Sequence, residues 1–386
     1  MQSHQNKTVS VQSITPFNLE DLLGRDPIVI DQANISNQLL HKIILITGAA
    51  GSIGSELATQ IASYNPDKLF LLDQSETHLH ELDLYLKASF PYLEIHSFVA
   101  NVTDAIRMNE IISSAQPEII FHAAAYKHVP IMEKHPYEAI KTNVLGTQIL
   151  ADLALAYRVG TFILISTDKA VKPASVMGAT KRMAEIYLQY LGSRRSGNTR
   201  FIITRFGNVL GSNGSFIPIF KKQIAAGGPI TVTHPDVTRY IMTVSEACQL
   251  VLEAGAVGKN GQILFFDMGN PVRIVDIANR MIDLSGLQPE KDIRIEYTGM
   301  RPGEKLYEEL LCVEGCTTTD HPKIRIASVA PISFIHVEKM KTLLTEVLQS
   351  GQTDQMVALL KLMIPEYISD NSDFQKLDKK GVSNAK

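Results

Sequence analysis

A carboxylic acid and an amine stand side by side in Thr167-Asp168-Lys169, directly after an apolar run that predicts a strand. At a strand end beside a ligand, such a pair can serve as a general acid and a general base, because burial and neighbouring charges set the two pKa values. Met177 and Lys181 follow, and their spacing places them on the same side of one helix. We predict a catalytic site formed by these residues; an ordinary surface pair of opposite charges is the alternative.

The thioether of Met177 cannot accept a proton, so a substrate hydroxyl at this site needs another partner. Lys181 can hold ribose hydroxyls and, through its charge, ease the loss of a proton from the substrate hydroxyl. Thr167, Asp168 and a relayed ribose hydroxyl are the candidate proton acceptors. If none of them serves, the protein is not a redox enzyme, and both possibilities stay open at this point.

A glycine-rich segment upstream, residues 48–54, stands between a predicted strand and a predicted helix. Glycines there let the backbone turn tightly and approach a pyrophosphate, which rests on the N-terminus of the helix. The segment predicts a nicotinamide dinucleotide contacted by Gly48, Gly51, Ser52, Ile53 and Gly54. Asp73 ends the next strand, where it can accept hydrogen bonds from ribose hydroxyls and repel a 2′-phosphate, so NAD is favoured over NADP. A tight structural turn without a ligand is the alternative.

Further cofactor contacts are predicted at the ends of the third and fourth strands. Asn101 and Val102 are placed to contact the adenine, and Ala123 and Ala124 offer small side chains where a cofactor passes closely. Lys127 follows the fourth strand and can reach the cofactor or the substrate. None of these signals is specific alone, because polar strand ends, close packing and surface lysines are common.

Arginines that can bind an anion stand out in the second half of the chain. Arg301, followed by Pro302-Gly303-Glu304-Lys305, can grip a diphosphate with two hydrogen bonds. We predict that the substrate is bound by Lys127, Asn208, Arg239, Arg301 and Glu304. Each is more often a structural or surface group by itself, but together with the cofactor segment they favour a nucleotide-linked substrate.

The elements that must position these residues follow a repeating strand–helix pattern from residue 42. The strands are predicted at Lys42–Thr47, Lys68–Asp73, Glu94–Val99, Glu118–Ala123, Phe162–Ser166 and Phe201–Arg205, with early helices at Ser52–Ser63 and Glu76–Ser89. The runs are apolar throughout, as in strands buried on both faces. Right-handed crossovers then give an α/β fold, a Rossmann-like doubly wound parallel sheet with a smaller C-terminal substrate-binding lobe.

The predicted organisation divides the chain into six segments. They are a disordered N-terminus (1–16), an N-terminal extension (17–41), an NAD-binding Rossmann domain (42–206), a mainly substrate-binding lobe (207–330), a helical segment (331–369) and a disordered tail (370–386). A strand–helix–strand unit at Gln262–Asp267, Ile274–Ser285 and Ile293–Tyr297 is assigned to the lobe. The tail is assigned as disordered because it is rich in polar residues.

Composition excludes several classes of protein. The net charge of −3 over 386 residues gives no basic surface for nucleic acid. No apolar run reaches the length of a membrane span, and the first residues lack a signal-peptide core, so we expect a cytoplasmic protein. Cys248, Cys312 and Cys316 are expected to be reduced thiols, and no metal site is predicted.

These motifs together resemble the extended short-chain dehydrogenases, and in particular the bacterial UDP-N-acetylglucosamine 4,6-dehydratases of polysaccharide and glycan synthesis. The resemblance covers roughly residues 17–330 and rests on Gly48–Gly54, Ala123–Pro130, Ser166–Ala170, Met177–Lys181 and Arg301–Lys305. Most short-chain dehydrogenases have tyrosine where this chain has Met177, so the chain is similar to the methionine branch of that family. Many members of the branch carry N-terminal membrane helices, and this chain looks like a free-standing version of their catalytic domain.

The resemblance implies a reaction in which NAD takes hydride from C4 of the sugar and returns it to C6. By this resemblance Lys169 removes the C5 proton while Asp168 protonates the departing C6 hydroxyl. Lys127 is implied to contact cofactor and substrate, and Asn208, Arg239 and Arg301 to hold the UDP moiety. The family also implies a homo-oligomer, and retention at C5 is favoured over inversion.

Two other functions stay open on the sequence. A UDP-sugar 4-epimerase shares the fold and cofactor, but it normally uses the tyrosine that is missing here and has no use for Asp168-Lys169. A non-catalytic NAD-binding protein is compatible with Met177. The presence of both Asp168 and Lys169 argues against it.

Overall fold

The computed structural model of the chain describes residues 32–194, 198–309, 316–328 and 334–378. The segments 1–31 and 379–386, and with them the predicted disordered N-terminus, most of the N-terminal extension and the end of the tail, lie outside the described residues, as does Cys312. The described strands, in chain order, are β1 (Ile43–Thr47), β2 (Lys68–Asp73), β3 (Glu94–Val99), β4 (Ile119–His122), β5 (Thr161–Thr167), β6 (Arg200–Phe206), β7 (Asn208–Leu210), β8 (Ile230–Val232), β9 (Thr238–Arg239), β10 (Ile241–Thr243), β11 (Gln262–Phe266), β12 (Val272–Arg273), β13 (Ile295–Tyr297), β14 (Thr317–Thr318) and β15 (Ile324–Ile326).

The helices alternate with the strands over the first two hundred residues. In chain order they are α1 (Gln32–Leu39), α2 (Ser52–Ala62), α3 (Glu76–Ser89), α4 (Ala105–Ala115), α5 (Val129–Lys134), α6 (Pro136–Ala139), α7 (Thr147–Ala156), α8 (Val176–Ser193), α9 (Phe216–Ala225), α10 (Val244–Val257), α11 (Ile274–Leu284), α12 (Phe334–Ser350) and α13 (Thr353–Met363). A π-helical turn, Ile140–Gly146, joins α6 to α7, and short 3₁₀ helices occupy Asp168–Ala170 and Asp373–Leu377.

The central sheet has the strand order β14-β15-β11-β6-β5-β4-β1-β2-β3 within the described ranges. All neighbours from β3 to β11 are parallel, and only β15 and β14 run antiparallel to their partners. The chain winds outward from β1 to β3 and then returns to β4 on the other side of β1. This reversal is a topological switch point, where the carboxyl ends of β1 and β4 open a ligand crevice. The predicted doubly wound, Rossmann-like sheet is confirmed.

Helices cover both faces of the sheet because its inner strands are apolar on both sides. In β1, Leu45 joins the apolar layer formed with α4, α7 and α8, whereas Ile44 and Ile46 join the opposite layer formed with α2 and α10. A third apolar cluster, which includes Phe220 and Met281, holds α9 and α11 against β8. It forms the core of the smaller lobe.

Two of the predicted assignments along the chain are wrong, one for a strand and one for the tail. The strand β11, assigned to the lobe, lies in the central sheet beside β6, because it is apolar and nearly all of it is buried. The tail is ordered over residues 370–378, where Phe374 is 7% exposed and packs into the layer beneath α8 and α13. The polar composition of this tail concealed one aromatic side chain that can anchor it.

The cysteines differ from the expectation of three reduced thiols. Cys248 is a buried free thiol, but Cys316 is disulfide-bonded. Residue counts carry no information on which thiols lie within bonding distance of each other, so composition could not show this. No helix in the described ranges combines the length and apolar character that a membrane span requires.

Candidate active site

The glycine-rich segment forms a tight loop between β1 and α2 at the switch point. Gly48 has φ 67°, and a Cβ there would lie 2.5 Å from the backbone nitrogen of Ala124. A Cβ on Gly54 would lie 2.0 Å from the carbonyl oxygen of Gly48. Gly51 caps the N-terminus of α2 without a side-chain hydrogen bond. The loop therefore excludes side chains and leaves backbone N–H groups of the first helical turn available to an anion.

A cleft beside this loop brings together most of the predicted cofactor residues. Gly48, Gly51, Asp73, Asn101, Val102, Ala123 and Ala124 line it, together with Leu72, Gln74, Ala100, Ala125, Tyr126 and Thr142. Ser52 and Ile53 are not among the residues that line the cleft: the Ser52 hydroxyl accepts a hydrogen bond from the Asn213 backbone nitrogen at 3.0 Å, and the Ile53 side chain packs against the apolar layer. Gln74, which sequence inspection missed, could have been found from its position directly after Asp73.

Asp73 is held in place by the backbone around it. Its carboxylate accepts hydrogen bonds from the backbone nitrogens of Ala50 at 3.0 Å and Ser75 at 2.9 Å. The acid at the end of β2 therefore ties the glycine loop to the second strand. Asn101, also at the cleft, donates its amide to the Gln74 side chain at 2.9 Å.

The predicted acid and base meet in a short turn at the carboxyl end of β5. The Lys169 ammonium lies 3.0 Å from a carboxylate oxygen of Asp168, 3.0 Å from the amide oxygen of Asn208 and 3.4 Å from the Glu308 carboxylate. The Thr167 hydroxyl donates to the same Asp168 oxygen at 2.9 Å. All three hydrogens of the Lys169 ammonium thus have acceptors nearby.

The charges around Lys169 decide its protonation state. Burial lowers the pKa of Lys169, but the Asp168 and Glu308 carboxylates outweigh burial and the repulsion from Arg239, so the pKa lies above the usual lysine value. The side chain keeps 21% of its surface exposed, so solvent can reach it. Lys169 therefore favours the ammonium form, and it must lose a proton before it can act as a base.

The second carboxylate oxygen of Asp168 is buried and has no hydrogen-bond partner among the residues that the structure describes. It lies beside Gly207, where a Cβ would be 3.1 Å from that oxygen and 2.7 Å from the Tyr240 carbonyl oxygen. Burial of a carboxylate oxygen without a hydrogen-bond partner costs folding free energy. Such an oxygen is found where a ligand or a proton can bind it. Asp168 thus has one oxygen fixed by Thr167 and Lys169 and one that is free for a reacting group.

Helix α8 packs directly on the acid–base turn. The Ser175 hydroxyl caps the helix by accepting from the Gly178 backbone nitrogen at 3.1 Å, and a Cβ on Gly178 would lie 2.2 Å from the Lys169 carbonyl oxygen. Glycine is therefore required for this approach. Met177 is only 3% exposed and belongs to the apolar layer on this face of the sheet.

Lys181 lies one turn further along α8 and is 4% exposed. Burial lowers its pKa to about 8, although the Glu185 carboxylate acts in the opposite direction. His122, at the end of β4, hydrogen-bonds Thr47 at 2.7 Å and Thr147 at 2.9 Å. Burial and the charge of Lys181 lower the pKa of His122 to about 3, so it is a neutral structural link between β1, β4 and α7.

A buried ion network behind the turn escaped sequence inspection. Glu185 is fully buried and accepts from the Ser166 hydroxyl at 2.6 Å and from the Arg205 guanidinium through both oxygens, one of them at 2.7 Å. The Arg182 guanidinium donates to it at 3.2 Å. Charged residues at Arg182, Glu185 and Arg205 in otherwise buried elements were the signal in the sequence. The network fixes α8 to β5 and β6, the elements that carry Lys181 and the acid–base turn.

The predicted substrate residues divide into two groups. Asn208 and Arg239 meet the acid–base turn: Asn208 contacts Lys169, and the Arg239 guanidinium lies 3.9 Å from Glu308 and donates to the Thr238 carbonyl oxygen at 2.7 Å. Arg301 and Glu304 bind each other within their own loop. Glu308 was not predicted, although it follows closely on the Arg301 loop.

Lys127 lies on the loop after β4 and is more than one-third exposed. Burial lowers the pKa of its ammonium group. The pKa of the neighbouring His128 is also lowered, first by burial and then by the charges of Lys127 and Arg301. Lys127 and Arg301, two of the three cations predicted to contact the substrate, thus act on the same imidazole from distant parts of the chain.

Fold and site together define a Rossmann-fold protein of the extended short-chain dehydrogenase type. The chain belongs to the polysaccharide biosynthesis protein family, whose model matches residues 44–329. It is 50% identical over 304 residues to the capsular polysaccharide biosynthesis protein CapD of Staphylococcus aureus, a match that covers 78% of this chain and 50% of CapD. The chain thus spans half the length of that relative. It is also 33% identical over 289 residues to a UDP-glucose 4-epimerase of Rickettsia rickettsii, covering 73% of this chain and 81% of the epimerase.

Solved structures agree with the fold. Pen from Bacillus thuringiensis superposes with a TM-score of 0.69 at 30% identity, covering 80% of this chain and 99% of Pen. DesIV, a dTDP-glucose 4,6-dehydratase from Streptomyces venezuelae whose structure contains NAD and TYD, has a TM-score of 0.60 at 21% identity, covering 68% of this chain and 86% of DesIV. The DesIV comparison supports the fold alone.

Proposed function

We propose that the protein modifies a nucleotide sugar, and specifically that it catalyses the NAD-dependent 4,6-dehydration of UDP-N-acetylglucosamine for polysaccharide synthesis. The observation that carries this proposal is the contact between Asp168 and Lys169 at the carboxyl end of β5, beside a helix position that has methionine instead of a phenol. An acid and a base that lie next to each other can catalyse an elimination, because that reaction removes a proton and a hydroxyl from adjacent carbons.

The cofactor proposed is NAD, and the residues present fit it. The loop at Gly48 and Gly54 has no room for side chains, α2 presents an uncapped N-terminus, and Asp73 would repel a 2′-phosphate. Lys181 and the cleft-lining residues would hold its ribose and adenine. When bound, NAD supplies oxidation at C4 of the sugar and returns the same hydride at C6.

Protons are then the task of the protein's own residues. The Thr167 hydroxyl, which donates to Asp168, can take the proton of the C4 hydroxyl and pass its own to that carboxylate. Asp168 then carries the proton that the C6 hydroxyl needs in order to leave as water. Lys169, as the neutral amine, takes the C5 proton and later gives a proton back to C5. Once Lys169 has lost its own proton to solvent, the balance closes without a further acid or base, because after one cycle Asp168 is again a carboxylate and Lys169 an amine.

The substrate is proposed to lie between the acid–base turn and the lobe. Lys127 and Arg301 would bind the diphosphate, and Asn208 and Arg239 would orient the nucleotide sugar beside Lys169. The Glu304 carboxylate holds the Arg301 guanidinium in place, so the guanidinium is preorganised. The diphosphate would compete with that carboxylate for it. By family resemblance we also propose a cytoplasmic homo-oligomer and retention at C5.

Mass spectrometry tests the proposal. The purified protein would be incubated with UDP-N-acetylglucosamine and catalytic NAD, and loss of one water from the sugar nucleotide is the expected result. The variant Lys169→Ala removes the proposed base. Lys172→Ala is its matched control, because Lys172 lies in the same segment as Lys169 but is exposed and pairs with Glu309. An unchanged mass in the unsubstituted protein would contradict the proposed reaction.

A UDP-sugar 4-epimerase is the second candidate, supported by the Rickettsia relative. Epimerisation leaves the mass unchanged and converts the gluco sugar to its galacto isomer, so chromatography of the same reaction separates the two functions. An epimerase has no need for Lys169 as a base at C5. Lys169→Ala would then retain activity if its substrate binding were intact.

A further inference from the structure

The segment 368–372, here called the C-terminal strap, crosses the molecule beside the acid–base turn. It lies beyond residue 329, where the match to the family model ends. The strap is anchored by the helix before it, because Lys361 of α13 donates to the Ser369 hydroxyl at 2.7 Å and stands 4.0 Å from the centre of the Tyr367 ring. Tyr367 is 3% exposed, so the start of the strap is fixed by burial as well.

The strap first pairs with the segment that joins Lys169 to α8. The backbone nitrogens of Ile368 and Asp370 donate to the carbonyl oxygens of Pro173 at 3.2 Å and Ala174 at 3.1 Å. The two donors are alternate residues of the strap, and the two acceptors are consecutive residues just before α8. This contact ties the strap to the backbone that carries the proposed base.

The same strap residues hold the Arg301 loop. The Gly303 backbone nitrogen donates to the Asp370 carbonyl oxygen at 2.8 Å, and the Asn371 amide donates to the Met300 carbonyl oxygen at 2.6 Å. Gly303 has φ 76°, and a Cβ there would lie 2.8 Å from Cβ of Ser175. The loop therefore lies directly on the N-terminus of α8, and the strap bonds it on both sides of Arg301, at Met300 and at Gly303.

Glu133 joins these parts at one point. It is 7% exposed, and its two carboxylate oxygens accept from the Val176 backbone nitrogen and from the Ser372 hydroxyl, each at 2.6 Å. The first bond satisfies a free N–H group at the start of α8, where a negative charge is favourable. The second fixes the end of the strap to the same carboxylate.

We infer that the C-terminal strap positions the Arg301 loop, so that Arg301 meets the diphosphate of the substrate at a set distance from Asp168 and Lys169. Asn371 and Ser372 are its positioning residues. The inference rests on the proposed function for the identity of the ligand, a nucleoside diphosphate. The hold of the strap on the loop is independent of that identity.

The test uses the full chain with Asn371→Asp and Ser372→Ala, singly and combined. Asn371→Asp keeps a residue suited to the left-handed backbone at that position, where φ is 46°, and replaces the amide donor with a second acceptor facing the Met300 carbonyl. Gln375→Glu is the control, because it adds the same charge at an exposed position of the following 3₁₀ helix. Hydrogen exchange of residues 299–306 and titrations with UDP and with NAD are the measurements.

Faster exchange of the Arg301 loop, UDP affinity reduced by about tenfold and an unchanged affinity for NAD are expected for the combined variant. The NAD titration shows that the variant is folded, and each single variant should give a smaller change in the same direction. Unchanged exchange of the loop, or faster exchange with unaltered UDP affinity, would overturn the inference. If the unsubstituted protein does not bind UDP, the proposed substrate is wrong, and the exchange result still decides whether the strap holds the loop.

Discussion

The Lys169 ammonium and the Glu308 carboxylate lie 3.4 Å apart, although 139 positions separate them in the chain. Glu308 comes from the segment that follows the Arg301 loop, whereas Lys169 belongs to the end of β5. Both side chains are largely buried, so their charges act on each other with little screening. The lobe thereby influences the protonation of the proposed base directly.

Replacing Glu308 should move the pH dependence of the reaction. The Glu308 carboxylate raises the pKa of Lys169, and Lys169 must be neutral to act as a base, so activity should rise with pH as Lys169 loses its proton. Glu308→Gln removes that charge, which lowers the pKa of Lys169 and shifts the acidic limb of the kcat/KM profile to lower pH. Glu309→Gln, at an exposed neighbour that pairs with Lys172, should leave the limb in place. If the acidic limb of the kcat/KM profile is at the same pH in Glu308→Gln as in the parent, Lys169 is excluded as the titrating base.

Gly178→Ala should damage the acid–base turn selectively. The added methyl would stand 2.2 Å from the Lys169 carbonyl oxygen, so the turn or α8 must shift. We expect a loss of stability on the order of 1–3 kcal/mol and a fall in kcat while NAD affinity is retained, because overpacking is relieved by local displacement. Thermal unfolding and steady-state kinetics measure the two effects. Wild-type kcat in this variant would show that the position of the turn is not critical.

Glu185→Gln should destabilise the protein strongly. The substitution leaves Arg205 buried without its counter-charge and leaves Arg182 with only the partly exposed Glu366 carboxylate. Breaking a buried pair in this way costs about 3–5 kcal/mol. Denaturant unfolding measures the loss, and Asp276→Asn at an exposed helix pair with Arg273 should change stability little. If both variants unfold at the same denaturant concentration as the parent, the network has no structural role.

The same network predicts how stability varies with acid. Burial raises the pKa of Glu185, but Arg205, Arg182 and the Ser166 hydroxyl outweigh burial, so the pKa in the folded protein lies below the usual glutamate value. Stability from this carboxylate is therefore fully present above the unfolded pKa of about 4 and is lost as pH falls through the lower folded value. Unfolding free energies of the parent and of Glu185→Gln, measured against pH, should converge in acid. A difference that stays constant with pH would contradict the assignment.

The sequence predicted what depends on local pattern. Strands β2 and β3 and helix α3 have the bounds that the sequence pattern indicated. The signal was clear for β2, which is apolar and buried along its centre, whereas β3 is an edge strand in which only Ile95 is buried. The pairing of Asp168 with Lys169 also followed from adjacency. These parts of the fold and site need no knowledge of distant contacts.

Other parts depend on contacts that only the folded chain creates. Glu308 reaches Lys169, and the C-terminal strap reaches the Arg301 loop, through segments far apart in sequence. The strand β11 has the same apolar pattern whether it joins the central sheet or the lobe, and Phe374 is a single aromatic residue in a polar tail. Pattern alone cannot decide such partners, because burial is a property of the whole molecule.

Lys169 is proposed to remove the C5 proton of the sugar, and isotope labelling from solvent can follow that proton. UDP-N-acetylglucosamine would be converted in deuterium oxide by the parent protein, with Lys169→Ala and Lys172→Ala in parallel, and the product analysed by mass spectrometry and NMR. For the parent protein we expect loss of one water with deuterium at C5, because the solvent-accessible amine of Lys169 exchanges before it returns a proton. Lys172→Ala should give the same product, and Lys169→Ala should not dehydrate the substrate. Dehydration at an undiminished rate by Lys169→Ala would contradict the proposed role of Lys169.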